Sequence, residues 1–175
     1  MQPPLAFKLE RMASPVRTLL IVTDGEAQLR ALHWEEGEQS LKLGLERHYG
    51  AGTLLRESHG PPSAACKALE AYFGGDLRAI DAIPVAGAGT PFQCDVWAAL
   101  RHIPAGATLS YGALAAKIGR PKAVRAVGLA NGANPIAIVV PCHRVIGTDF
   151  SLTGYGGGLE RKRWLLNHEG AHYLG

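Results

Sequence analysis

The chain has 175 residues, 47% hydrophobic and 19% charged, with a formal net charge of +3; that is enough to bury a core as one large domain or two small ones. No apolar run reaches the ~18 residues of a membrane-crossing helix, MQPPLAFKLERM lacks a secretion-signal pattern, and three cysteines, Cys66, Cys94 and Cys142, cannot all pair and form no CxxC. A membrane span, a disulfide scaffold and a cysteine-rich zinc site are disfavoured, and the expected setting is a reducing, cytoplasmic one.

The first half reads as mixed α/β. LAFKLERM, VRTLLIVTDG and AQLRALHWEE have the apolar content of short strands, with Asp24-Gly25 as a turn dipeptide between the second and third. Two amphipathic helices are expected near 38–49 and 62–73, the second ended by Gly74-Gly75. His33, His48 and His59 are scattered without metal-ligand spacing, and Glu35, Glu36 and Glu38 read as a solvated loop. VAGAGT, residues 85–90, is small and flexible and reads as a linker. The expected domains are therefore 1–87 and 88–175.

TPFQ then has the form of a capping box, with Thr90 at the cap, Pro91 at the first helical position and Gln93 three residues on. This helix is expected to reach about His102. Ser110 can cap a further helix that Gly119 ends, and Pro121 stands near the first turn of another that Asn131-Gly132 ends. Two short helices joined by a tight turn make a helix-turn-helix. Residues 1–87 carry nine Lys/Arg against eleven Asp/Glu, and residues 88–175 nine against four. Residues 96–148 contain no acid at all, yet hold Arg101, Lys117, Arg120, Lys122, Arg125 and Arg144. A polyanion partner accounts for this pattern; charge alone leaves a merely solvated basic face open. The second helix lacks the set of base-reading side chains of a major-groove reader. Ala123, Ala126, Gly128 and Ala130 keep it thin, and Arg125 projects. That suits a minor groove, although small residues also permit tight helix packing.

Pro141-Cys142-His143-Arg144 follows the apolar run IAIVV. A free thiol, with pKa near ~8.5, needs a base or a nearby cation to react at neutral pH. His143 and Arg144 are candidates. In an extended strand, neighbours point to opposite faces; either the chain turns at Pro141 or a water links Cys142 to His143. Glu169 is a candidate to orient the histidine. Cys66 and Cys94 lack such neighbours and read as structural.

PCHRVIG, with RAVGxAxxxNP upstream and GYGGGxxRKxWLLxHEG downstream, resembles the O6-alkylguanine-DNA alkyltransferase (methylated-DNA–protein-cysteine methyltransferase) family across residues 88–175; the first half fits the family's variable N-terminal domain more loosely. The resemblance implies a small antiparallel, ribonuclease H-like sheet with helices, then a mostly α domain with a winged helix-turn-helix-like element. It implies a suicidal, cofactor-free and metal-free DNA-repair enzyme. The alkyl group would move from O6-alkylguanine, with O4-alkylthymine as a second candidate substrate, to Cys142, with the nucleotide flipped from the minor-groove side of duplex DNA. His143 resembles the base acting through a water, Glu169 its orienter, and Asn134 a hinge. Tyr111 resembles the tyrosine that rotates a phosphate and protonates the leaving base, and Arg125 an arginine finger. Arg120, Lys122, Ala126 and Ala130 are expected beside Tyr111 and Arg125 at the DNA. Val145, Tyr155, Gly156 and Gly157 are expected around the base. Gly156 departs from members with Ser there and removes a hydroxyl contact. A monomer without an obligate protein partner is expected. Cys142 argues against a non-catalytic lesion-recognition protein, PCHR against a plain helix-turn-helix regulator, and the absence of caspase-like or papain-like signatures against a cysteine protease.

Overall fold

A computed structural model describes residues 5–175; the first four residues of the N-terminal stretch MQPPLAFKLERM lie outside it. Its backbone contacts divide into two compact units, Met1–Ala88 and Gly89–Gly175.

In the first unit the apolar segments form three antiparallel strands, β1 (Ala6–Met12), β2 (Leu19–Thr23) and β3 (Leu29–Trp34). β2 is buried along its whole length, as a central strand must be. The β2–β3 turn does not use Gly25 as the left-handed residue. Ala27 takes that conformation, with φ 62°, and the Asp24 carboxylate accepts from the backbone N–H of Glu26 and Gln28, each at 2.9 Å. The acid side chain therefore caps a longer loop in place of a two-residue turn.

α1 (Glu38–Tyr49) follows the 38–49 expectation, and α2 (Ala64–Phe73) starts after Ser63, whose hydroxyl accepts from the Cys66 N–H at 3.1 Å. Pro62 is outside the helix. A fourth strand, β4 (Leu54–Glu57), is not legible in the sequence because it is mostly exposed and lacks apolar alternation. It pairs with β1 in parallel, so the sheet is mixed, in the order β3-β2-β1-β4. Phe7, Leu9, Leu20, Val22, Ala31, Leu41 and Leu45 form one core under it. Glu35 and Glu38 are not a free loop: both pair with Arg11, at 3.5 Å and 2.9 Å. The start of the expected linker is pinned, because Leu29 donates to the Pro84 carbonyl and Ala86 donates to that of Leu29.

In the second unit, α3 (Pro91–Leu100) carries the capping box in full: Gln93 N–H donates to the Thr90 hydroxyl at 3.2 Å, and Thr90 N–H to the Gln93 side-chain Oε1 at 2.9 Å. α4 (Tyr111–Lys117) is capped by Ser110, and α5 (Val124–Gly132) follows it after Gly119, which has φ 73°. Pro121 lies in the turn before α5, not in its first helical turn. The sheet of this unit is a parallel pairing of two-residue strands, β5 (Leu109–Ser110) and β6 (Val145–Ile146). α6 (Leu159–His168) closes the unit over Leu165 and Leu166. Among the described residues no helix is long and apolar enough to cross a membrane.

Candidate active site

Pro141 turns the chain, and residues Cys142–Arg144 form a single 3-10 turn leading into β6. The PCHR segment is therefore not extended. Cys142, His143 and Arg144 are all buried. A short turn, unlike a strand, lets consecutive side chains fan around one centre.

His143 Nε2 lies 2.9 Å from Glu169 Oε1. Glu169 is the residue that terminates α6. The Nδ1 atom is buried without a hydrogen-bond partner among the described residues. Burial pushes the imidazole pKa down, only partly opposed by Glu169, and the charges of Arg144 and Lys162 lower it further. The neutral ring with its proton on Nε2 is the consistent state. Glu169 is held well below the ordinary carboxylate range despite its burial, by His143 and Arg144.

Arg144 does not serve the thiol. Its Nε and Nη2 donate to the two Glu169 oxygens at 3.0 Å and 2.8 Å, and its Nη1 donates to the Ile103 carbonyl. The expectation that Arg144 favours a Cys142 thiolate is corrected accordingly: a bidentate guanidinium–carboxylate pair consumes its geometry.

Burial raises the Cys142 thiol pKa. Opposing this are a hydrogen bond from Asn134, the charge of Lys162, and the backbone N–H groups of Cys142 and His143. Lys162 has no role in the sequence reading, although it lies within the RKxW part of the downstream motif. A lysine in a helix of low overall hydrophobicity reads as a surface charge; only packing shows it to be fully buried. Its ammonium donates to the Val145 carbonyl at 2.6 Å and to that of Thr153 at 3.3 Å. A second missed residue is Asn131, buried, with its amide donating to the Cys142 carbonyl at 3.4 Å.

Asn134 joins the end of α5 to the segment that leads to Cys142. Its amide donates to the Val140 carbonyl at 2.7 Å and to that of Ile136 at 3.3 Å, while its Oδ1 accepts from Ile136 N–H at 3.0 Å. Tyr111 begins α4 and is half-buried; its hydroxyl is 2.8 Å from that of Thr153. That links α4 to the loop carrying Tyr155, Gly156 and Gly157. Gly157 offers its carbonyl to Arg161 at 3.1 Å. A Cβ at Gly156 would meet open space, so packing does not require the glycine that stands there. Cys66 is buried with its thiol pushed up to about 11, chiefly by burial, while Cys94 is exposed.

Arg120, Lys122, Arg125 and Ala126 are exposed on α5 and the turn before it. Ala130 is not: it is 3% exposed, and its carbonyl accepts from the Trp97 indole at 2.8 Å. Its small size serves the α3–α5 contact, so it is removed from the DNA-facing set. The helix is also less thin than its alanines suggest, because Leu129 stands 78% exposed one turn after Arg125.

Residues 91–171 match the family model described as 6-O-methylguanine DNA methyltransferase, DNA binding domain. A Salmonella typhimurium protein named Methylated-DNA--protein-cysteine methyltransferase is 51% identical over 92% of this chain and 94% of its own. One of the same name from Methanosarcina acetivorans is 44% identical over 90% and 95%. A Mycobacterium tuberculosis OGT structure, solved in complex with DNA, superposes with a TM-score of 0.76 at 42% identity, covering 93% of this chain and 92% of that one. With such identity over nearly its whole length, the chain belongs to the methylated-DNA–protein-cysteine methyltransferase family.

Proposed function

We propose that this protein repairs alkylated DNA by transferring an alkyl group from O6-alkylguanine in the duplex to Cys142, once per molecule, with O4-alkylthymine as a second substrate. The observation that carries the reading is the buried constellation of Cys142, His143 and Glu169, with the histidine's inner nitrogen left to act as an acceptor. Glu169 fixes the proton on Nε2, and the Nδ1 lone pair takes the thiol proton through a water. The sulfur–carbon bond forms as the carbon–O6 bond breaks, and the electron pair passes to the guanine, which Tyr111 protonates. The product is a thioether that hydrolysis does not reverse.

The target carbon lies inside a base-paired stack, so the nucleotide must leave it. The exposed cations on and before α5, in a stretch free of Asp and Glu, suit a phosphate-bearing partner. Arg125 fills the space that the nucleotide leaves. Asn134 keeps α5 in register with the nucleophile segment, and Val145 with the Tyr155–Gly157 loop walls the base. In the proposed division of labour, residues 88–175 carry the DNA-binding and transfer functions.

The direct test is incubation with a duplex carrying a labelled O6-methyl group. The label is expected to move to protein, stoichiometrically and without turnover; label that stays on DNA overturns the reading. Arg125→Ala is expected to slow repair of the duplex far more than reaction with free O6-methylguanine, which needs no flipped state held open. Equal losses on the two substrates would remove the arginine from that role.

A further inference from the structure

Tyr111 is held at both ends of its side chain. Its backbone follows β5, whose Ser110 pairs with Ile146 on β6, the strand that the Cys142 turn leads into. Its ring lies against α5 at Gly128, where an added Cβ would stand 3.8 Å from the Tyr111 Cδ1. Its hydroxyl lies 2.8 Å from the Thr153 hydroxyl, on the loop that leads to Tyr155. Thr153 is anchored in turn by its carbonyl, which accepts from the Lys162 ammonium at 3.3 Å. The hydroxyl–hydroxyl bond has two senses, and they differ chemically. Each hydroxyl carries one proton and two lone pairs, and the threonine hydroxyl rotates to suit its partner. If Tyr111 donates to Thr153, its only proton is spent inside the protein. If Thr153 donates to Tyr111, the phenol keeps its proton for the leaving guanine, and the phenolate that forms keeps a hydrogen-bond donor. Protonation of the base needs the second sense.

We infer that Thr153 is a positioning residue for the protonation step: its hydroxyl donates to the Tyr111 oxygen, turns the phenol proton toward the guanine and stabilises the phenolate left behind. The inference rests on the functional reading given above and adds to it what prepares the acid. As the carbon–O6 bond breaks, the Tyr111 proton passes to the guanine. The electron pair of the phenol O–H bond stays on the phenolate oxygen, which receives the Thr153 hydrogen bond. Solvent returns a proton to the phenolate once the DNA has left.

Single-turnover rates test this. Thr153→Val keeps the branched shape and removes the hydroxyl. At saturating O6-methylguanine duplex its methyl transfer is expected to be about tenfold slower, the scale of one hydrogen bond to a forming charge, with duplex affinity at the parental value. Thr153→Ser, which keeps the hydroxyl, is expected to restore the rate. In a Tyr111→Phe background, Thr153→Val should cost nothing further, because the group it acts through is gone. Alkylation of Cys142 by iodoacetamide, read by peptide mass because Cys94 is exposed, should be as fast in Thr153→Val as in the parent, since iodide leaves without a proton. Thr153→Ala is the second hydroxyl-free variant and is held to the same outcomes. The inference is overturned by a parental transfer rate without the hydroxyl, by no rescue in Thr153→Ser, by an undiminished loss in the Tyr111→Phe background, or by an equal loss with iodoacetamide. A parent protein that takes up no methyl label fails the functional reading, and the inference with it.

Discussion

Cys142→Ala is expected to take up no label from O6-methylguanine duplex while still binding it. The nucleophile is lost outright, and neither remaining cysteine replaces it. Cys66 is buried with its thiol pushed up to about 11, and Cys94 is exposed, with its thiol on the Gly89 carbonyl. The substitution removes one buried sulfur and leaves Glu169, Arg144 and Lys162 in place, so the fold and the cationic α5 face should persist. Peptide mass mapping of the reacted parent protein checks the same point: the adduct should lie on the peptide containing Cys142. An adduct chiefly on Cys66 or Cys94 would displace the assignment.

Glu169→Gln is expected to be damaging twice over. It removes the carboxylate that holds the His143 tautomer, and general-base contributions of this kind are typically worth about 10² or more in rate. It also takes the charge from a buried carboxylate that receives two guanidinium bonds as well as the imidazole. Breaking one partner of a buried pair typically costs roughly 3 kcal/mol, so the urea midpoint should fall with the single-turnover rate. Affinity for duplex should change little, because Glu169 is buried and lies outside α4 and α5. The pH dependence has a definite sign. A depressed carboxyl contributes stability above its unfolded pKa, near ~4.3, and loses it as pH falls through the folded value. His143, also depressed, works in the same direction below ~6.5. Glu169→Gln should therefore be less sensitive to acid than its parent, from a lower starting stability. If it reacts as fast as the parent, the histidine relay fails, and activation of Cys142 falls to Asn134, Lys162 and the backbone N–H groups.

Elements whose signals are local are legible in the amino-acid sequence alone. The Thr90-Pro91-Gln93 box, the Ser110 cap, the Gly119 turn and the three apolar strands depend on residues within a few positions of one another. PCHR with its flanking blocks likewise points to the nucleophile, its histidine, and a family that whole-chain identity bears out. The acid-free stretch points to a polyanion for the same reason: charge is a property of composition.

What required the tertiary structure is everything decided by burial and by partners distant in sequence. β4 has little apolar pattern and exists because the β1 edge offers it hydrogen bonds. Ala130 and Leu129 are adjacent, yet packing against α3 hides the first and leaves the second in solvent. Arg144, the cation in the same turn as Cys142, is bound to Glu169 twenty-five residues away. Lys162, which carries no local signal, is buried with its ammonium on the Val145 and Thr153 carbonyls. A sequence determines which charges and thiols a chain owns; the cost of burying them, and so their reactivity, is set by which ones the fold brings together out of water.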